Sequence, residues 1–459
     1  MTVAAVCTML LMVYAAYSRP WYFNNSSNLV GLVALEFLIV AVWLYRRAFY
    51  PVVLVTFLMA GSNLPVGSGW SAGRWVVLAV GASVGLILVV KDRGYRFGLF
   101  HLLAFFGVLT AVISAAVSLY PNIALLKVLS LLLLFVYAGT GARMAVTGRE
   151  DRFFRGLLIG CEIFVAANAF FYAVGIQAMG NPNSLGATMG MAAAPILLWG
   201  VLLGGDPSVH RRRIFLYTIC MYMVFMSRAR AGMAAAVISS AILCIALRRY
   251  KLLIQGLVVL AIVGSAASIV RPELIPSEAS SLIYKDQEEG ILMSRVSPWK
   301  TALDSIRDHP WFGTGLGTAA TDFEVKEGLG MFASSQSVTK EHGSSFLAVF
   351  EGVGLVGVIP LFLLLGLLLI RVFRTLVWMR QSGLASHAAV PLAIAVFASF
   401  VHAVFEDWMF APGNYLCVFF WTLAFILNDV APRTSFSGLA RNWNPKPVQH
   451  VANGVVPSR

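Results

Sequence analysis

Charge is what this sequence is short of. Only 12% of its 459 residues are Asp, Glu, Lys or Arg, against roughly 25% in an ordinary soluble domain. Hydrophobic residues make up 59% before 40 glycines are added, and mean hydropathy is +0.80. No compact fold in water hides that much apolar surface, so a disordered chain, a secreted disulfide scaffold and a cytosolic enzyme are excluded. Cysteine is sparse as well. Cys7, Cys161, Cys220, Cys244 and Cys417 all fall in apolar stretches and make no C-x-x-C pair. They read as small buried residues, not as disulfide or zinc ligands. The first apolar segment lacks a basic n-region and an A-x-A cleavage site, so it reads as a retained span.

What is present is a series of apolar runs. Crossing the hydrocarbon core takes about 20 residues of helix. Fourteen candidates fall near 2–17, 27–45, 50–66, 74–90, 98–119, 122–140, 153–175, 184–204, 212–227, 230–247, 251–270, 346–370, 386–404 and 412–428. The expected fold is an all-α polytopic integral membrane protein with about 12–14 transmembrane helices. The net charge of +13 and pI of about 9.7 come from one set of alternate short loops. These hold Arg46, Arg47, Lys91, Arg93, Arg96, Arg143, Arg149, Arg152, Arg155, Arg211 to Arg213, Arg248, Arg249, Lys251, Arg371, Arg374 and Arg380. An excess of Lys and Arg in short loops marks the cytoplasmic side. Both termini are therefore expected in the cytoplasm, and the basic balance gives no support to a nucleic-acid partner.

One loop is long. Residues 271–345 fall on the opposite side and carry more acidic than basic residues. Loops of this length are uncommon unless functional or disordered, and this one has structure signals. Trp299, Leu303 and Ile306 fall at i, i+4, i+7, which predicts a short amphipathic helix over 294–310 lying at the membrane surface. His309-Pro310 ends it, and Gly313, Gly315 and Gly317 predict a flexible turn.

Several side chains are candidates for chemistry. Ser227-Arg228-Ala229-Arg230 joins two spans with almost no loop, pinning two arginines at the outer boundary. They either snorkel to headgroups or form a phosphate clamp, since guanidinium forks match phosphate oxygens. Arg295, at the head of the amphipathic helix, is a second anion ligand or an ordinary surface charge. His342, where the long loop re-enters the membrane, either takes a proton from an attacking hydroxyl or hydrogen-bonds at an interface. Glu36 and Glu162 lie inside spans, where an ionisable group raises a functional hypothesis such as a proton relay. Lys127, near an outer span end, is placed to snorkel. His402, Glu406 and Asp407 cluster at the last outer loop and could line a pocket. Asp304, Asp308 and His309 have helical spacing for a metal, but no second cluster completes a site, so no metal and no cofactor are expected.

Four stretches carry a likeness to a known family. They are Asn181-Pro182-Asn183-Ser184; Ser227 to Gly232; Arg295-Val296-Ser297-Pro298-Trp299 through Gly317; and His342-Gly343-Ser344-Ser345-Phe346 through Gly357. In this order, with the long loop before the histidine, the chain resembles the O-antigen ligase and O-antigen polymerase superfamily of polytopic bacterial glycosyltransferases over roughly residues 180–372. The resemblance implies an N-terminal bundle (1–180), a ligase-like core (181–372) holding a periplasmic loop, C-terminal helices (373–430) and a disordered cytoplasmic tail (431–459). It implies an inner-membrane enzyme working at the periplasmic face without a metal. The donor would be a glycan joined through diphosphate to undecaprenol. The acceptor would be another glycan or lipid A–core, with other polysaccharide-assembly proteins as partners. By the same resemblance Arg228 or Arg230, together with Arg295, holds the diphosphate and His342 assists the acceptor. Glu341, Ser344, Glu406 and Asp407 are candidate acceptor or loop contacts. Gly343 stands where the family has asparagine. The segment His402 to Asn414 resembles exopolysaccharide-polymerase relatives. A lipid-linked sugar transporter or flippase is the alternative, and a non-catalytic scaffold of an envelope-assembly complex is a third reading. A flippase would need broken helices and substrate groups near mid-membrane.

Overall fold

The computed structural model describes residues 26–45, 49–64, 69–91, 97–258, 293–318 and 343–432. The 2–17 span, most of 251–270, Glu341, His342 and the tail beyond 432 lie outside them. Among the described residues all regular structure is helical, and the chain is a polytopic membrane protein. The N-terminal part holds α1 (Ser26–Tyr45), α2 (Tyr50–Ala60), α3 (Gly69–Lys91), α4 (Leu99–Val117), α5 (Pro121–Gly139), α6 (Gly141–Val146) and α7 (Glu150–Ala173). Then come α8 (Pro182–Thr188), a π-turn (Met189–Ala193), α9 (Ala194–Leu202), α10 (Pro207–Met226) and α11 (Arg230–Ala246). After the long loop's α12 (Met293–Asp308) follow α13 (Ser345–Ser382), α14 (Ala389–Ala403) and α15 (Tyr415–Val430). Among the described residues six helical segments are long and apolar enough to cross a membrane, and five shorter apolar helices accompany them.

The core sits around α14 and α15. From Leu416 to Leu427 every residue of α15 is buried, as expected of a helix that is apolar all round. On the periphery Leu102, Phe105, Phe106, Leu109 and Ile113 of α4 stay exposed, a face suited to lipid. Helices in lipid gain little from the hydrophobic effect and associate through close packing of small residues. Such a contact positions the site. A Cβ on Gly190 would lie 2.2 Å from the carbonyl oxygen of Gly232, so the π-turn and α11 touch backbone to backbone. The Ser227–Arg230 turn is thereby brought against α8.

The 38-residue α13 is two helices joined at Gly354, whose φ of 61° and ψ of −172° are non-helical. A break in a membrane helix frees backbone groups that must find partners inside the protein. Here the segment after α12 supplies them. Leu355 N–H donates to the Pro310 carbonyl (2.8 Å) and Val356 N–H to that of Trp311 (3.1 Å). The Glu351 and Gly352 carbonyls accept from Thr314 N–H and Gly315 N–H, each at 2.9 Å, and Ser114 Oγ also donates to Gly352 (2.6 Å). The glycine-rich stretch is thus a turn, as expected, but one fixed by hydrogen bonds.

Two other sequence readings change. The inward face of α12 is Arg295, Trp299, Ala302 and Ile306, with Ala302 1% exposed and Leu303 46% exposed. Anchors at Arg295 and Trp299, described below, rotate the seated stripe off Leu303. Glu162 is held by Arg212 (2.7 Å) and Arg213 (3.2 Å), both on α10. Arg213 also donates to the Gly200 carbonyl (3.1 Å). A carboxylate clamped this way needs no relay to account for its place in a span. Nearby in kind, Arg143 pairs with Asp429 and contacts His101 Nε2 at 3.1 Å.

Candidate functional site

Three of the motifs and the last loop meet at one end of the bundle. Arg295 Nη2 donates to Glu406 Oε1 at 2.5 Å, with side chains 17% and 21% exposed. Glu406 is itself anchored, because its carbonyl accepts from Ser345 Oγ (2.6 Å), which in turn accepts from Met409 N–H (3.1 Å). Trp299 Nε1, one turn along α12 from Arg295, donates to the Gly343 carbonyl (3.1 Å). Gly343, the residue after His342, has a φ of 65°, and a Cβ there would lie 3.2 Å from Arg295 Cδ. The position where the resemblance expects asparagine is therefore a tight left-handed backbone against the arginine stem. Ser344 is buried and sits at the N-terminal boundary of α13.

The Arg-Ala-Arg turn separates its two cations. Ser227 Oγ donates to the Val224 carbonyl (2.6 Å) and accepts from Ala229 N–H (3.2 Å). Arg228 takes φ 52° and stays exposed, while Arg230 is half-buried at the head of α11. Gly186 of α8 packs under Ser227 and Ala229, leaving no space for a Cβ.

On the other side of Glu406 from Arg295 lies a cleft of about 320 Å³. Asn181, Asn183 and Ser184 from the start of α8 form one wall, and His402, Glu406, Asp407, Trp408 and Asn414 form the other. Asn181 and Asn414 cap the helices they precede, accepting from Ser184 N–H (2.7 Å) and Leu416 N–H (2.9 Å). Tyr415 Oη, bonded by Thr188 Oγ1 (3.2 Å), ties the two walls.

Two residues of this region were not singled out for it. Lys127, read as a snorkelling side chain, donates instead to the Gly317 carbonyl (2.6 Å). Arg74 donates to the Gly413 carbonyl (2.9 Å), its guanidinium 5.7 Å and 5.4 Å from the ring centroids of Phe57 and Trp75. The signal was an arginine early in an apolar helix on the side otherwise poor in basic residues. The metal-spaced Asp304 pairs with Arg307 (3.3 Å) on an exposed face.

A helical membrane protein with an arginine–glutamate pair on the wall of a polar cleft is the class these features define. Residues 215–362 match the family model described as O-antigen ligase. That match supports the O-antigen ligase superfamily, to which the motifs point, and at the family level an O-antigen ligase-like glycosyltransferase acting in polysaccharide biosynthesis. It takes in Arg228, Arg230, Arg295, His342 and Ser344, and leaves Asn181, Glu406 and Asp407 outside. No curated protein matches the chain.

Proposed function

We propose that this protein transfers or polymerises a glycan from an undecaprenyl-diphosphate-linked donor onto a sugar hydroxyl at the periplasmic face of the bacterial inner membrane. The observation that carries the reading is the position of Arg295. It is fixed by Glu406 and packed against the residue after His342, inside the matched segment. Arg295 and Arg230 neutralise the diphosphate as the anomeric C–O bond breaks and negative charge grows on the leaving oxygen. The acceptor oxygen forms the new bond to the anomeric carbon, and its proton passes to His342. Attack from the face opposite the leaving group inverts that carbon. No metal takes part. The lipid tail lies among the helices, and the short-loop Lys and Arg residues put both termini in the cytoplasm.

The test is transfer by purified protein from a synthetic undecaprenyl-diphosphate oligosaccharide with EDTA present, read as product size on a gel. A ladder marks a polymerase, and one added block on lipid A–core marks a ligase. The product disappears in His342→Ala while the folded protein persists. Undiminished product from that variant removes the histidine from the mechanism. Transport of lipid-linked sugar across a vesicle, with no transfer to any acceptor, replaces the enzyme with a flippase.

A further inference from the structure

The cleft beside Arg295 has a chemistry of its own. Its walls are amides, carboxylates, a hydroxyl, an imidazole and an indole, with only Ala187 and Leu416 apolar, so seating a polyprenyl tail there would cost the desolvation of many polar groups against hydrocarbon. Asp407, with the part of the Glu406 charge that Arg295 does not offset, makes the cleft itself a poorer place for a diphosphate than the arginine beyond Glu406. Neutral, hydroxyl-rich matter remains. At about 320 Å³ the cleft is near the lower end of the range for small-molecule sites, roughly 300–1,000 Å³.

The donors and acceptors are already sorted. Asn181 and Asn414 each spend Oδ1 on a backbone N–H of the helix they cap, which fixes the amide orientation and leaves the NH₂ group to donate. Trp408 Nε1 donates to His402 Nδ1 (2.8 Å), so the neutral imidazole carries its proton on Nε2. Asp407 and Glu406 offer acceptors. A sugar hydroxyl both donates and accepts, and this mixture answers both halves. Glu406 belongs to the cleft wall and to the Arg295 pair at once, so a ring in the cleft lies one side chain away from Arg295.

We propose that this cleft is a subsite for one neutral sugar ring next to the diphosphate, read by Asn181, Asn183, Asn414 and Asp407. It rests on the glycosyltransferase reading for its partner ring, and it lies outside the segment 215–362 that the family match covers. The ring belongs either to the donor, as its first sugar, or to the acceptor, as its attacking end.

The experiment uses the full chain in lipid nanodiscs with Asn183→Ala and Asp407→Asn. Losing one hydrogen bond to a hydroxyl raises the KM for the substrate that fills the cleft about three- to tenfold, with kcat little changed. A rise confined to acceptor KM assigns the acceptor ring, and a rise confined to donor KM assigns the donor ring. Unchanged KM for both in both variants overturns the subsite. Saturation-transfer NMR of the free oligosaccharide, lacking lipid and phosphate, is the second readout. If the wild type transfers nothing, the enzyme reading fails, yet a ring signal lost in Asn183→Ala still upholds the cleft. A signal equal in wild type and variant overturns it. A uronate ring binds at least tenfold more weakly than its neutral counterpart, and Asp407→Asn narrows that gap; equal binding by the wild type refutes the preference for a neutral ring.

Discussion

Arg295 and Glu406 form an ion pair that joins the helix of the long loop to the loop between α14 and α15. Both side chains are mostly buried, and removing one partner of such a pair leaves an uncompensated charge. Glu406→Ala is expected to lower the thermal midpoint by a few degrees, and Glu406→Gln by less, because the amide oxygen still accepts. Scanning fluorimetry in detergent checks this, and a midpoint unmoved in Glu406→Ala refutes it.

Arg228 and Arg230 are two residues apart and differ in surroundings, the first exposed at φ 52° and the second half-buried at the head of α11. Arg230→Ala and Arg295→Ala should each cost on the order of 10²–10³-fold in transfer rate, the scale of losing one charge-stabilising group. Arg228→Ala should stay within about threefold, since an exposed cation outside the pair stabilises little. Arg228→Gly should raise stability by roughly 0.5–1 kcal/mol by relieving the left-handed backbone. Equal losses in the two alanine variants would return the phosphate contact to both residues.

Gly354 leaves no room for a side chain, since a Cβ would come within 2.5 Å of Gly313 N and Phe312 N. Its φ of 61° adds backbone strain for any other residue. Gly354→Ala should cost about 3 kcal/mol or more, from overpacking and strain together. The variant should elute as aggregate on size exclusion, while Gly366→Ala, with open space around it, elutes like the wild type.

Glu162 separates a structural carboxylate from a working one. With the countercharge to Arg212 and Arg213 removed, Glu162→Gln should lower the folded yield, yet transfer per folded molecule should match the wild type. A pH profile of transfer displaced in this variant would restore the relay hypothesis.

Much of this was legible in sequence because lipid imposes a simple rule on helices. Apolar runs such as 98–119 and 122–140 fall on α4 and α5, and proline at the first turn of α5 marks its start. The α12 helix was legible from period alone. Its facing was not, because Leu303 fits an apolar stripe equally well and only the distant partners Glu406 and Gly343 decide the rotation. The role of Lys127 was hidden for the same reason, since its partner Gly317 lies far along the chain. Glu406 and Asp407 were legible as a cluster, but not the ion pair to Arg295, which depends on tertiary placement. His342 and Glu341 lie outside the described residues.

The join at Gly354 bears on how the chain is made. The residues that complete the broken helix, Pro310 to Gly315, precede it in the sequence and leave the ribosome first. When the two halves of α13 enter the bilayer, the carbonyls and amides that mend the break have already been synthesised. The order of synthesis therefore makes the mending groups available as soon as the break at Gly354 emerges. A rearranged gene that placed 310–315 after α13 would contain every contact of the finished fold and still expose those groups during insertion.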